Sequence, residues 1–145
     1  MFALAPVTPD VTGFDYLLQE SLAEGHRMLL RFAENWRMGT NRFDHPGEII
    51  LGLWDDQALV GICGRNIDPY DVHPRAGRVR HLYVGQSVRR RGAGRHFIAA
   101  ILDRAATHFD YLNTNAPDTA FAFYERLGFA RLVGADHVTH RIAVV

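Results

Sequence analysis

Apolar and polar positions along the chain follow two periods, and the points where one gives way to the other mark out its elements. From Phe14, the apolar residues Leu17, Leu18 and Leu22 recur at the spacing of one helix face. After Gly25, Met28, Leu29, Phe32 and Trp36 continue that period, which predicts two helices or one broken at the glycine. Thr12, with Asp15 three residues on, resembles a helix start. Short β-branched and aromatic runs predict strands at Phe2–Pro6, Glu48–Trp54 and Ala58–Arg65, the last two parted by the turn pair Asp55-Asp56. Gly39 to Gly47 and Asp68 to Gly77 are polar, glycine- and proline-punctuated loops.

In the second half, Arg78–Val84 reads as a strand. A helix follows from Gly92 to about His108, with Phe97, Ile98, Ile101, Leu102 and Ala105 on one face. Tyr111–Asn115 is a short strand, and Asp118 is placed to cap a helix that Gly128 ends. Arg131–Val133 and Val138–Val144 close the chain as strands. Helices enclosed by strands on both sides predict an α+β fold around one mixed sheet.

At 145 residues with 48% apolar and 22% charged, the chain suits one domain spanning residues 1–145 with a sizeable core. Its net charge is zero and its pI about 7.1, so no global field draws it to nucleic acid or to an anionic membrane. Cys63 is the only cysteine, which excludes an intramolecular disulfide and suits a reducing, cytoplasmic setting; within LVGICG it reads as a buried structural thiol. The N-terminus MFALAPVTPD lacks the basic segment of a signal peptide, and no run reaches the ~20 apolar residues that span a bilayer. His73, His81, His137 and His140 show no zinc-ligand spacing, so no metal is expected.

The most informative stretch is VGQSVRRRGAG, Val84 to Gly94, which holds Arg89-x-x-Gly92-x-Gly94 between a strand and a helix start. Such a loop offers free main-chain N–H groups at the positive end of a helix dipole, an anion site suited to a pyrophosphate. Gly92 and Gly94 permit positive φ and close approach, and the N–H groups of about Arg90 to Arg95 are the donors. Arg89, Arg90, Arg91 and Arg95 add charge. The pattern is not G-x-G-x-x-G, because position 97 is Phe97, and no G-x-x-x-x-G-K-[ST] occurs. Alone it also reads as a solvated basic loop with a glycine hinge.

Downstream lies AFAFYERLGF, Ala120 to Phe129. Together, Leu82-Tyr83-Val84, Arg89 to Gly94 and this segment resemble the GNAT superfamily of acetyl-coenzyme A-dependent N-acetyltransferases. That family writes its pyrophosphate loop R/Q-x-x-G-x-G/A after an LYV-like strand end, and a later helix as A-x-x-F-Y-E-x-L-G-F. The likeness is best from Leu59 to Phe129. Gln86 and Pro117 stand where the family often has proline and asparagine, leaving Asn113 and Asn115 as the nearest polar groups for the cofactor.

The resemblance implies a twisted mixed sheet of six or seven strands with about four helices on both faces. It also implies a splay between Arg78–Val84 and Tyr111–Asn115, where the amides of acetyl-coenzyme A (acetyl-CoA) pair with a strand edge. Leu82, Tyr83, Val84, Arg89 to Arg95 (with Gly92, Ala93 and Gly94), Asn113, Asn115 and Tyr124 are then the cofactor-binding residues. The N–H of Val84 or its neighbour would polarise the thioester carbonyl, and Tyr124 would be the general acid toward the thiolate.

The implied reaction is attack of a neutral amine, from a small molecule or peptide, on the acetyl carbonyl in a ternary complex. A lysine-like amine is neutral in only about 1 molecule in 2,500 at pH 7, and an α-amine in about 1 in 7. His81 is a candidate base. Simple alternation would put Val79, His81 and Tyr83 on one face and Arg80, Leu82 and Val84 on the other. Glu20, Glu24, Glu48, Asp55 or a water chain are the alternatives. The helices Phe14 to Trp36, the loop Arg37 to Glu48 and Asp68 to Pro74 would wall the amine site, the two aspartates favouring a cationic acceptor. Two other classes stay open: a non-catalytic acetyl-CoA sensor, and a nucleic-acid contact through Arg89 to Arg95. A homodimer is also left open.

Overall fold

The computed structural model describes residues Met1–Val145. Seven strands form one sheet: β1 (Phe2–Pro6), β2 (Ile49–Asp55), β3 (Ala58–Ile67), β4 (Ala76–Val84), β5 (Tyr111–Thr114), β6 (Ala130–Arg131) and β7 (His140–Ala143), ordered β1-β2-β3-β4-β5-β7-β6. Only β4 and β5 are parallel. Four helices complete the fold: α1 (Phe14–Ala23), α2 (Met28–Met38), α3 (Ala93–Leu102) and α4 (Phe121–Arg126).

The helical periods of the sequence set the two layers. Phe14, Leu17, Leu29 and Phe32 of α1 and α2 pack with Ile62 and Tyr83 on one face; Phe97, Ile98, Ile101 and Tyr124 of α3 and α4 pack with Cys63 and Val79 on the other. Adjacent residues Ile62 and Cys63 fall in opposite clusters, as the pleat requires. Burying each of these large side chains contributes about 1.5–3 kcal/mol. At Gly61 a Cβ would stand 2.7 Å from the Phe97 ring, so the glycine is what lets α3 sit down on β3.

Three helix boundaries differ from the sequence expectation. Gly13, at φ +93, precedes α1 with no side-chain cap, so Thr12 does not cap it; likewise Asp118 lies in a short 3-10 turn, Asp118–Ala120, and caps nothing. α3 stops at Leu102 rather than near His108. There Arg104 turns left-handed at φ +57, and the buried Arg65 guanidinium takes the freed carbonyls of Ile101 (2.6 Å) and Asp103 (3.3 Å).

The sheet opens where the site lies. β4 pairs with β5 only through Ala76↔Tyr111, Gly77↔Leu112 and Arg78↔Asn113, yet runs on beside β3 as far as Val84. Past Arg78, therefore, one edge of β4 faces a gap. The β3–β4 register also steps from Ile62↔Tyr83 to Gly64↔Arg80, so β4 carries one extra residue, with His81 left-handed at φ +59. This bulge corrects the simple alternation: Val79 joins the α3–α4 cluster together with Leu82 and Val84, whereas His81 and Tyr83 face α1 and α2.

Candidate active site

The loop before α3 is built as an open cradle of donors. Arg90 (φ +62) and Gly92 (φ +80, the residue preceding α3) are both left-handed, which turns successive N–H groups toward one side. Six consecutive N–H groups, Arg90 through Arg95, have no acceptor within the protein; the first α3 bond is His96 N–H to Gly92 O at 3.0 Å. A Cβ at Gly92 would meet nothing within 4 Å, so the cradle opens on free space. Gly94 serves packing as well, since a Cβ there would stand 3.0 Å from the Phe123 ring.

The flanking arginines divide into two kinds. Arg89 is gripped by the carboxylate of Glu24, the residue that follows α1, donates to Val84 O at 3.1 Å and lies over the Tyr83 ring. Glu24 also accepts from the Gln86 side chain and the Tyr83 hydroxyl, which Glu20 reaches too at 2.8 Å. Hydrogen bonds from Arg89 and then Tyr83 hold the Glu24 carboxyl down at about 2, while burial and the two glutamates push the Tyr83 hydroxyl well above its ordinary range. Arg91 turns the other way, to Asp55 at 3.0 Å and the Phe2 ring. Only Arg90 and Arg95 keep uncommitted charge, which removes most of the basic cluster that a nucleic-acid contact would need.

A cleft of about 770 Å³ runs from Arg89 along the open edge of β4 to Tyr70, Arg78 and His137. Its walls include Leu82, Tyr83, Val84, Asn115, Phe123 and Tyr124. Gly85 donates to Val60 O at 2.7 Å, which makes Gly61↔Val84 a pair whose own main-chain groups turn away from β3 and into the gap. Tyr124 is 5% exposed and edge-on to Phe123 and Phe129, both at 5.1 Å. Burial, reinforced by Cys63, pushes its hydroxyl above the ordinary tyrosine range, so it stays protonated and remains a donor at neutral pH. Its helix is pinned to β7 by Glu125, which takes His140 Nε2 at 2.7 Å and Arg131 at 2.8 Å.

Other expected site residues have different employment. The Asn113 side chain is buried at the closed end of the gap, donating to Asp68 and Asp71 and accepting from Arg141 Nε at 2.7 Å; it faces no cofactor. His81 is 8% exposed, its ring 5.8 Å from those of Phe32 and Phe43, and its Nε2 has no partner. Burial, then Arg80 and Arg31, lower its pKa to about 3, so it is a poor proton acceptor. Among the alternative bases, Glu20 and Glu24 are bound into the Tyr83 network. Asp55 pairs with Arg91 and the N-terminus, and Glu48 accepts the N–H groups of His45 and Ile67. None of the four lines the cleft.

Asp68 and Asp71 do not line it either, contrary to the expected acidic wall; Arg78, Asn113, Tyr111 and Arg141 absorb them. The loop Arg37 to Glu48 borders instead a second cavity of about 410 Å³, which shares Tyr70 and Arg80 with the cleft. The sequence reading missed Arg31, Arg80 and His137, the last stacked on Tyr70 at 4.2 Å. No sequence motif marks them; only the bulge and the loop between β6 and β7 bring them together.

The chain matches the family model for the acetyltransferase (GNAT) domain over residues 18–145. Among solved structures it is similar to a candidate acetyltransferase from Exiguobacterium sp. 255-15, at 25% identity and a TM-score of 0.88, over 99% of this chain and 93% of that one. It is also similar in fold to a GNAT-family acetyltransferase from Streptococcus pneumoniae (15% identity, all of both chains, TM-score 0.75). A third is glucosamine-6-phosphate N-acetyltransferase from Arabidopsis thaliana (15% identity, 93% of this chain and 95% of that one, TM-score 0.71). No curated protein matches the chain in sequence. No helix is long and apolar enough to cross a membrane.

Proposed function

Because the chain belongs to the GNAT acetyltransferase family, we propose that it transfers the acetyl group of acetyl-CoA to a primary amine by direct attack in a ternary complex. The observation that carries this reading is the row of six unpaired N–H groups, Arg90 to Arg95, beside a gap in the sheet. Each such contact contributes about 0.3–1 kcal/mol when exposed, so the set together is worth roughly 2–6 kcal/mol to a bound diphosphate. The free edge of β4 suits the amides of an extended chain.

Acetyl-CoA supplies an activated thioester as the acyl donor. The chain's part is positioning and proton handling. The Val84 N–H, turned into the gap, donates to the carbonyl oxygen as negative charge builds there. Tyr124 gives its proton to the departing sulfur. The cleft holds no carboxylate and His81 is a poor acceptor; of the remaining histidines in its lining, His137 is stacked on Tyr70 and His26 lies beside Tyr83, so we assign the amine's proton to water and have the acceptor arrive neutral. A water path, rather than His81, is thus the proposed base.

Calorimetry with coenzyme A, followed by thiol release across an amine panel, tests this reading. Tight binding with amine-dependent release supports it. Binding without release from any amine would make the protein an acetyl-CoA sensor instead.

A further inference from the structure

Where Arg78 pairs with Asn113 the gap closes, and from there the cleft turns toward α2. Arg80, at this end, stands four positions before Val84, at most about 13 Å along the strand given the bulge at His81.

Arginine outnumbers carboxylate here: Asp68 stands behind Arg78, and Glu48 lines the far side of the second cavity, where it accepts from the His45 and Ile67 N–H groups. No aspartate or glutamate lines the cleft, while Arg27, Arg31, Arg78 and Arg80 all do. Arg78 is spoken for: it faces Asp68 at 3.6 Å, donates to His137 O at 2.7 Å and lies over Tyr70. Arg31 and Arg80 are not. Neither makes a hydrogen bond or an ion pair, although Arg80 is half-buried between two other arginines and forms the common wall of the two cavities. The five guanidinium N–H donors of Arg80 are held partly out of water with no hydrogen-bond acceptor, and the Asp68 carboxylate acts on them only through space. Across the shared wall, Asn66 is 5% exposed and its side-chain oxygen accepts from no group. An unpaired fork of donors and an unpaired buried acceptor thus stand on neighbouring strands.

We propose that the acceptor is an amine carrying an anionic group, phosphate or carboxylate, which Arg80 and Arg31 hold at the junction of the two cavities. This rests on the acetyl-transfer reading and names its substrate class. Low-dielectric walls around unneutralised arginines focus the field and raise the local concentration of such a molecule. The planar fork of Arg80 suits a bidentate oxyanion. Asn66 is left to accept a hydroxyl or amine hydrogen from the same molecule.

The test titrates phosphoethanolamine, ethanolamine, β-alanine and β-alaninamide into protein saturated with coenzyme A, by calorimetry, with thiol release measured in parallel using acetyl-CoA. The anionic member of each pair should bind at least tenfold more tightly than its partner without the anionic group, and Arg80→Gln should cut that preference to about twofold. Arg31→Gln should lower it in the same direction. Equal binding of both members, or preference for the uncharged or cationic amine, overturns the proposal. So does a preference that survives in Arg80→Gln when circular dichroism shows that variant folded. Because binding is read without turnover, anion selectivity with no thiol release would sink the acetyl-transfer reading alone. Release from the amines that lack an anionic group, with no anion selectivity, would sink only this inference. The phosphate and carboxylate pairs separate the two anion types.

Discussion

Replacing Gly92 by valine separates the loop's role in binding from its role in the fold. Gly92 sits at φ +80 and a Cβ there would meet no atom within 4 Å, so the folded apo protein loses no space; its cost is the left-handed backbone, about 1–2 kcal/mol. For a chain of this size that lowers the melting temperature by about 3–8 °C. Bound diphosphate meets a second cost, since a branched side chain now stands in the concavity and displaces it from two or three of the six N–H groups. At about 0.3–1 kcal/mol each, that is near 2 kcal/mol, or roughly thirtyfold in affinity for coenzyme A. Gly134→Val is the control: φ is +77 and its surroundings are equally open, but it lies between β6 and β7, away from the cradle. Calorimetry and thermal melting of both variants should show similar losses of stability, with lost affinity only for Gly92→Val. Equal coenzyme A affinity in the two variants would refute the cradle.

Two further outcomes follow from the site's electrostatics. Tyr124→Phe should lower kcat by about 100-fold while leaving coenzyme A affinity within about twofold. In both forms kcat/KM should rise through the pKa of the acceptor amine, with no limb near 6.5; such a limb would restore a histidine base. The Glu24 carboxyl, held at about 2 against an ordinary 4.5, stabilises the fold above about pH 4.5 and loses that contribution as pH falls toward 2. Taken in full the shift is about 3 kcal/mol, but the Arg89 side chain is 42% exposed and solvent screening leaves about 1–2. Glu24→Gln should therefore melt lower at pH 7 and converge on the unsubstituted protein near pH 2, and a gap that stays constant over that range would show that the pairing contributes nothing.

Local signals in the sequence carried far. The helical periods around Phe14 to Trp36 and Phe97 to Ile101 foretell which side chains the two layers bury, and Arg89-x-x-Gly92-x-Gly94 foretells the loop whose N–H groups are free. What was not legible depends on partners distant in the chain. The bulge at His81 arises from the register against β3, and it reverses the faces that alternation assigns. The commitments of Asn113, Asp68 and Asp71 arise from β7 and from the loop before β4, so a polar segment that looks acidic in sequence presents arginine to the cleft. Arg31 and Arg80, 49 positions apart, become neighbours only through the packing of α2 on β4. The end of α3 is set in the same way, because Arg65 on β3 donates to the Ile101 carbonyl where the helix stops.

Diphosphate binding is carried by the main chain of Arg90 to Arg95, and amide chemical shifts report on it atom by atom. In a titration of isotope-labelled protein with acetyl-CoA followed by nitrogen–proton correlation spectra, the amides of Arg90 to Arg95 should move furthest and downfield, with the Val84 amide following. Spectra in which those seven stay still at saturation, while amides elsewhere shift, would contradict it.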